Sequence, residues 1–258
     1  MKYYFHESKI RLAIHFDHKL ETKKHLGLIL DSRLSFENHV NEKISKARRI
    51  VGVLRNLSKY LPLKTLDQMY KALVRSHLDY CDVIYHQPPI VHEPPLGISL
   101  TTHMKKIEKV QYDAALAITG TWKGSSRSGL YEELGWESLS DRRICRRVLL
   151  LHKIENNNTP SYLKEKLPPH HGSRNSFRKI HARSDRYMNS FFPNSISSWN
   201  IFISNFANMP SFSKLKSHVT SLLRPKARSI FGIHDPAGVH YIFQLRIGVS
   251  PLRSHKNA

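Results

Sequence analysis

The sequence predicts a mainly α-helical protein that begins with a short β hairpin and continues into a helical bundle and a second, irregular helical region. Two observations predict this class. Apolar residues recur at steps of three and four along several segments, which is the spacing of one helix face. A run of β character, KHLGLILD at residues 24–31, lies near the start. With 258 residues, of which 40% are hydrophobic, the chain can bury a core.

The first elements follow in order from this spacing. Residues 24–31 are expected to form a strand that ends in a turn at Asp31 and Ser32. A helix is predicted over residues 36–60, and Pro62 marks the start of the next one. Residues 66–85 keep helical spacing throughout and predict one continuous helix. The apolar face of the first helix comprises Phe36, Val40, Ile44, Ala47, Val51 and Leu54.

The later elements are separated from these by proline. Four prolines at residues 88–95 predict a linker, because proline cannot continue a helix. We expect further helices over residues 100–119, from Ser138 or Ser140 to about residue 156, and over 212–222, with a flexible loop at 123–129. The predicted regions are a hairpin in 1–34, helices in 35–86, a linker at 87–98, helices in 99–167, a basic loop at 168–190 and a basic helical region in 191–258.

Charge is the most informative property of the composition. The chain has 41 Lys and Arg against 20 Asp and Glu, a net charge of +21, so a polyanionic partner is expected. Nucleic acid, RNA or DNA, is favoured over a membrane, because no run approaches the roughly eighteen apolar residues of a membrane span. Only two cysteines occur, Cys81 and Cys145, which fits a reducing intracellular compartment, such as the nucleus.

Residues with catalytic or metal-binding chemistry are sparse. Asp79 and Asp82 could share a metal ion from one helix, but a solvated helix face is the expected role of this pair. His77 and Cys81 have zinc-ligand spacing but lack a second pair, so a buried histidine and a core thiol are expected. The glycine-rich GSSRSG lacks the Gly-Lys-Ser/Thr ending of a phosphate-binding loop. We therefore predict no catalytic residues, no metal site and no cofactor.

Two groups of basic residues are candidates for nucleic-acid contact. On the polar face of the first helix lie Ser45, Lys46, Arg49, Gly52 and Asn56, and this face either is merely solvated or follows a duplex. The second group is Arg142, Arg143, Arg146 and Arg147, near the start of a helix, where the helix dipole disfavours cations. Either nearby carboxylates, at Glu133, Glu137 and Asp141, or bound phosphates would offset this cost.

Several successive segments of the chain together indicate a family. They include KHLGLILDSRLSFENHV, VRSHLDYCDVIYH, LYEELGWESLSDRR, TPSYLKEKLPP and FGIHDPAGVHYIFQLRIGVSPLRSH. In order and approximate spacing, over residues 24–255, they resemble the C-terminal part of reverse transcriptases from non-LTR retrotransposons of the jockey-like and related lineages. It implies that residues 26–30 belong to a primer-gripping hairpin and that the first helix is a thumb helix following the template-primer duplex. Lys59 would then lie near phosphate.

The resemblance also implies what the chain does not do. The catalytic aspartates of that family precede the matched region, so a non-catalytic, nucleic-acid-binding fragment with thumb and post-thumb parts is expected. The apolar stripe at residues 66–85 would then pack on a missing palm domain or on a protein partner. The alternative is an adaptor derived from such an element and recruited by the host to bind nucleic acid or protein.

Overall fold

The computed structural model describes residues 22–86, 102–172, 175–203, 206 and 208–223, without the side chains of Asp185 and Arg186. The predicted mainly α fold with an N-terminal hairpin is confirmed. The strands are β1 (Thr22–His25) and β2 (Leu28–Asp31). The helices are α1 (Glu37–Leu57), α2 (Leu63–Met69), a π-helical turn (Tyr70–Val74), α3 (Arg75–Asp79), α4 (Asp82–Tyr85), α5 (Thr102–Thr119), α6 (Arg127–Glu133), α7 (Leu139–Glu155), α8 (Ser161–Lys164), α9 (Asp185–Met188), α10 (Phe191–Ile203) and α11 (Phe212–Leu223).

The hairpin leads directly into α1 through a turn organised by one carboxylate. β1 and β2 pair antiparallel around Leu26 and Gly27, which both have positive φ, as a tight two-residue hairpin requires. After β2, the Asp31 carboxylate accepts hydrogen bonds from the backbone N–H groups of Arg33, Ser35 and Phe36 at 2.7–3.0 Å. Partial burial raises the pKa of Asp31, but these hydrogen bonds outweigh it and hold the pKa below its usual value.

One hydrophobic core joins the hairpin, α1, α2, α3, α5 and α6. The predicted apolar face of α1 is confirmed, because all six of its residues are buried. In the same core Tyr70 stacks on Trp136 at 3.8 Å between ring centroids. The Tyr70 hydroxyl donates a hydrogen bond to Gln111 Oε1 at 2.7 Å. Residues on both sides of the predicted linker at 87–98 therefore share one core, and the linker itself lies outside the described residues.

The predicted continuous helix over residues 66–85 is wrong. The chain widens into a π-helical turn at Tyr70–Val74 and then breaks after α3, where Tyr80 is extended and Cys81 has a φ of 57°. Helical spacing of apolar residues does not detect such a break, because after a short interruption most of the apolar residues still face the same side of the segment. Leu73 and Ile84 of the stripe are exposed, whereas Leu66, Val74 and Leu78 are buried.

A second core forms around α7, α10 and α11. It includes Ile144, Val148 and Leu151 of α7, which pack with Trp199 of α10. Ser138 caps α7, because its hydroxyl accepts the backbone N–H of Asp141 at 3.0 Å, so of the two predicted caps it is Ser138 that forms. Since Leu139 belongs to the first core, α7 connects the two cores.

Part of the predicted basic loop at 168–190 is ordered into the second core. Phe177 is buried, stacks on His170 at 4.5 Å between ring centroids, and binds the Asn200 side chain through its backbone. The short helix α9 also lies in this stretch. Residues 1–21 of the predicted hairpin region and residues 224–258 of the predicted basic helical region lie outside the described residues.

Candidate nucleic-acid interface

The polar face of α1 lies at the protein surface. Burial of Val40, Ala47 and Leu54 against the first core turns the opposite side of the helix outward. Ser45, Arg49, Gly52 and Asn56 are exposed on α1, Lys59 is exposed just beyond its end, and Lys46 is half-buried. Because α1 rises 1.5 Å per residue, the face from Ser45 to Leu57 is about 18 Å long, the length of roughly five base pairs.

Two further arginines that were not predicted belong to this surface. Arg48 and Arg55 are both exposed, and Arg48 lines a shallow groove together with Asn41, Ile44, Ser45 and Arg49. The spacing could have identified them, since neither falls on the apolar face of α1. The outer face of α1 is defined from here on as Ser45, Lys46, Arg48, Arg49, Gly52, Arg55, Asn56 and Lys59.

Several cations near this face are already paired. Lys46 forms an ion pair with Glu42 one turn earlier, and this hydrogen bond lowers the pKa of the Glu42 carboxyl. The Lys43 ammonium lies 4.5 Å from the centre of the Tyr80 ring. Arg48, Arg49 and Arg55 make no ion pair with any residue that the structure describes. The three arginines are therefore available to an anionic ligand.

Gly52 leaves a gap in the middle of the outer face. A Cβ atom built on it would have no neighbouring atom within 4 Å, so the fold does not require glycine there. Glycine in a helix interior destabilises the helix by roughly 1 kcal/mol relative to alanine. A small residue at this point permits close approach of another backbone to α1.

The second predicted group of basic residues is largely internal, which corrects the prediction for two of the four. Arg143 and Arg147 are each 1% exposed and therefore cannot contact nucleic acid. Arg143 donates to the Leu78 carbonyl at 2.5 Å and to the Tyr85 hydroxyl at 3.1 Å. Arg147 donates to the Val83 carbonyl at 2.9 Å and to the His86 carbonyl.

Arg142 and Arg146 lie at the edge of the same cluster, and both are paired with carboxylates. Arg142 Nε lies 2.9 Å from Asp79 Oδ2 and its Nη1 lies 3.8 Å from Glu137. Arg146 Nη1 lies 3.1 Å from Asp82 and 3.4 Å from Asp79. Of the two alternatives for this group, the structure shows intramolecular ion pairs, made mainly by carboxylates more than sixty residues earlier in the chain rather than by Glu133 or Asp141.

The expected solvated role of Asp79 and Asp82 is accordingly wrong. Asp82 is 1% exposed, and its carboxylate lies 3.8 Å from Arg143 Nε. Burial raises the pKa of Asp82, although Arg143 and Arg146 oppose this shift. The break between α3 and α4 directs both carboxylates towards α7. They hold the first core to the helix that carries the second, so this buried cluster of Asp79, Asp82 and the four arginines is a structural element.

Metal-binding geometry is not found around the predicted histidine and cysteine. His77 and Cys81 are both half-buried rather than in the core, and burial lowers the pKa of His77. Throughout residues 22–86, 102–172 and the shorter described ranges, there is no group of three or more His, Cys, Asp or Glu side chains that could hold a metal ion. In those ranges, too, every helix is too short or too polar to cross a membrane.

Comparison of the chain with protein-family models, with curated proteins and with solved structures finds no match.

Proposed function

We propose that the protein binds double-stranded nucleic acid non-catalytically, with the outer face of α1 lying along the phosphate backbone. The observation that carries the proposal is that Arg48, Arg49 and Arg55 are exposed on α1 and make no ion pair with any residue that the structure describes. Phosphate contacts from such a face supply affinity without reading sequence. The net charge of +21 acts in the same direction.

The proposed ligand agrees with the resemblance to non-LTR retrotransposon reverse transcriptases, in which the corresponding helix would follow a template-primer duplex. That origin is part of the proposal. A duplex presents one phosphate per strand every 3.4 Å, so a face of about 18 Å meets several phosphates. The arginines of α7 support the same assignment indirectly. Arg143 and Arg147 are buried, and Arg142 and Arg146 are paired with Asp79 and Asp82, so α1 has the more available cations.

Charge reversal tests the proposal. Replacing Lys46 and Arg49 together by glutamate should lower the affinity for a blunt-ended duplex about tenfold or more, and should reduce the slope of log affinity against log salt by about two. Both measurements are made by fluorescence anisotropy on the full chain. Thermal unfolding should change little, since Arg49 is exposed and replacing the partly exposed Lys46–Glu42 pair by two carboxylates costs about 0.5 kcal/mol.

The matched control reverses Arg178 and Lys179, which are also exposed and which change the net charge by the same amount. The control should weaken binding much less than the α1 variant. Equal losses in the two variants would show that binding depends on total charge rather than on α1. A wild-type chain that binds no duplex would contradict the proposal and favour the adaptor that binds a protein partner.

A further inference from the structure

The loop between α5 and α6 carries an exposed tryptophan on an ordered backbone. This loop was expected to be flexible, but its backbone is fixed at several points. The Tyr112 hydroxyl donates to the Ser125 carbonyl at 2.8 Å and accepts the Gly124 N–H at 3.1 Å. The Ser125 hydroxyl donates to the carbonyl of Trp122 at 2.8 Å. These hydrogen bonds therefore fix the backbone of the loop that carries Trp122.

Trp122 differs from the two other tryptophans of the chain. Its side chain is 61% exposed, whereas Trp136 is 7% exposed and Trp199 is fully buried. Each buried indole N–H has an acceptor, Asp67 for Trp136 and the Asn175 carbonyl for Trp199. Packing thus explains the two buried rings and leaves the exposed one unexplained.

The surroundings of Trp122 are cationic and polar. Lys123 and Arg127 are both exposed, and the Arg127 guanidinium lies 5.5 Å from the centre of the Tyr112 ring. The sequence from 114 to 131 contains no Asp or Glu. Hydroxyl groups of Ser126 and Ser128 lie at the start of α6, 2.9 Å from each other. An apolar protein partner would require neighbouring apolar side chains, whereas cations beside an aromatic ring suit an unpaired nucleotide strand.

We infer that Trp122 stacks on an unpaired base of single-stranded nucleic acid, while Lys123 and Arg127 attract the adjacent phosphates. Stacking on an aromatic ring tolerates any base, because every base has a flat π face. The inference rests on the proposed function and adds a second ligand to it: α1 takes the paired strands, and the Trp122 loop takes an unpaired strand.

Intrinsic fluorescence tests the inference, because Trp122 is the exposed tryptophan among the three. Titration of the full chain with a single-stranded thymidine oligonucleotide should quench tryptophan emission, whereas Trp122→Leu should show no quenching. Trp122→Leu should also lose about fivefold to a hundredfold in affinity for the oligonucleotide. Trp122→Phe should retain part of this affinity, and binding of a blunt-ended duplex should be unchanged in both variants.

Tyr162→Leu is the matched control, because it removes another exposed aromatic ring, at 49% exposure, from a different part of the surface. Unchanged single-strand affinity in Trp122→Leu would overturn the inference, as would equal losses in the Tyr162 variant. The two proposals fail separately. If the Lys46 and Arg49 reversal weakens duplex binding but Trp122→Leu leaves single-strand binding unchanged, only the Trp122 inference is wrong. If Trp122→Leu weakens single-strand binding but the reversal leaves duplex binding unchanged, only the assignment of α1 is wrong.

Discussion

Replacing Arg143 by methionine should lower the free energy of unfolding by about 3–5 kcal/mol, the usual cost of breaking a buried ion pair from one side. Methionine fills much of the space of the arginine stem but removes the one fully buried cation beside Asp82, which keeps only the partly exposed Arg146 as an ion-pair partner. It also removes the donors to the Leu78 carbonyl and the Tyr85 hydroxyl. Urea unfolding of the full chain at neutral pH measures the loss.

Arg142→Met is the matched control in the same helix. Arg142 also pairs with Asp79, but its side chain is 31% exposed, so water replaces part of the lost interaction. The loss should be about 1 kcal/mol. Losses of the same size for Arg142 and Arg143, or a loss under 1 kcal/mol for Arg143, would contradict the structural role assigned to the buried cluster.

Acidification from pH 6.5 towards pH 4 should destabilise the protein through His39 by about 3 kcal/mol in total. His39 is fully buried, and its Nδ1 accepts the Ile29 N–H at 3.3 Å. Burial, and secondly the charge of Lys43, lower its pKa from 6.5 to about 4. The unfolded chain therefore binds a proton as pH falls through 6.5, while the folded protein stays neutral. The stability is complete above pH 6.5 and is lost down to about pH 4.

His39→Gln isolates this contribution, since glutamine does not titrate and can still accept a hydrogen bond. Between pH 6.5 and pH 5, the slope of the unfolding free energy against pH should be smaller in the variant than in the wild type. The difference should be roughly 1.4 kcal/mol per pH unit, which corresponds to about one proton. Burial also lowers the pKa of His86, so some dependence on pH is expected to persist. Identical slopes in the two proteins would show that His39 is not buried as a neutral group.

Local patterns predicted much of the fold, because amphipathic spacing and capping act within one helix. The apolar face of α1 and the Ser138 cap of α7 are of this kind. The break at Tyr80 and Cys81 was not predictable in this way. It is stabilised by ion pairs between Asp82 and arginines about sixty residues later, and a single-sequence pattern contains no information on such long-range contacts.

The candidate interface was predictable to a similar extent. Angular position on a helix separates buried from exposed residues, and the polar residues of α1 do lie outward. The same method cannot tell whether an arginine outside an apolar stripe is exposed or buried in an ion cluster, which is why Arg143 and Arg147 were misplaced. Trp122 was missed because tryptophan in sequence usually indicates core, and its exposure depends on the hydrogen bonds that fix its loop.

The central claim is that a duplex approaches α1 closely, and the Gly52→Leu variant tests it most directly without changing any charge. Leucine has open space at this position and is a better helix former, so the variant should be more stable by about 0.5–1 kcal/mol. Affinity for a blunt-ended duplex, measured at fixed salt by fluorescence anisotropy, should nevertheless fall about tenfold, because the added side chain separates α1 from the phosphate backbone. A variant that gains stability and keeps full duplex affinity would contradict the claim.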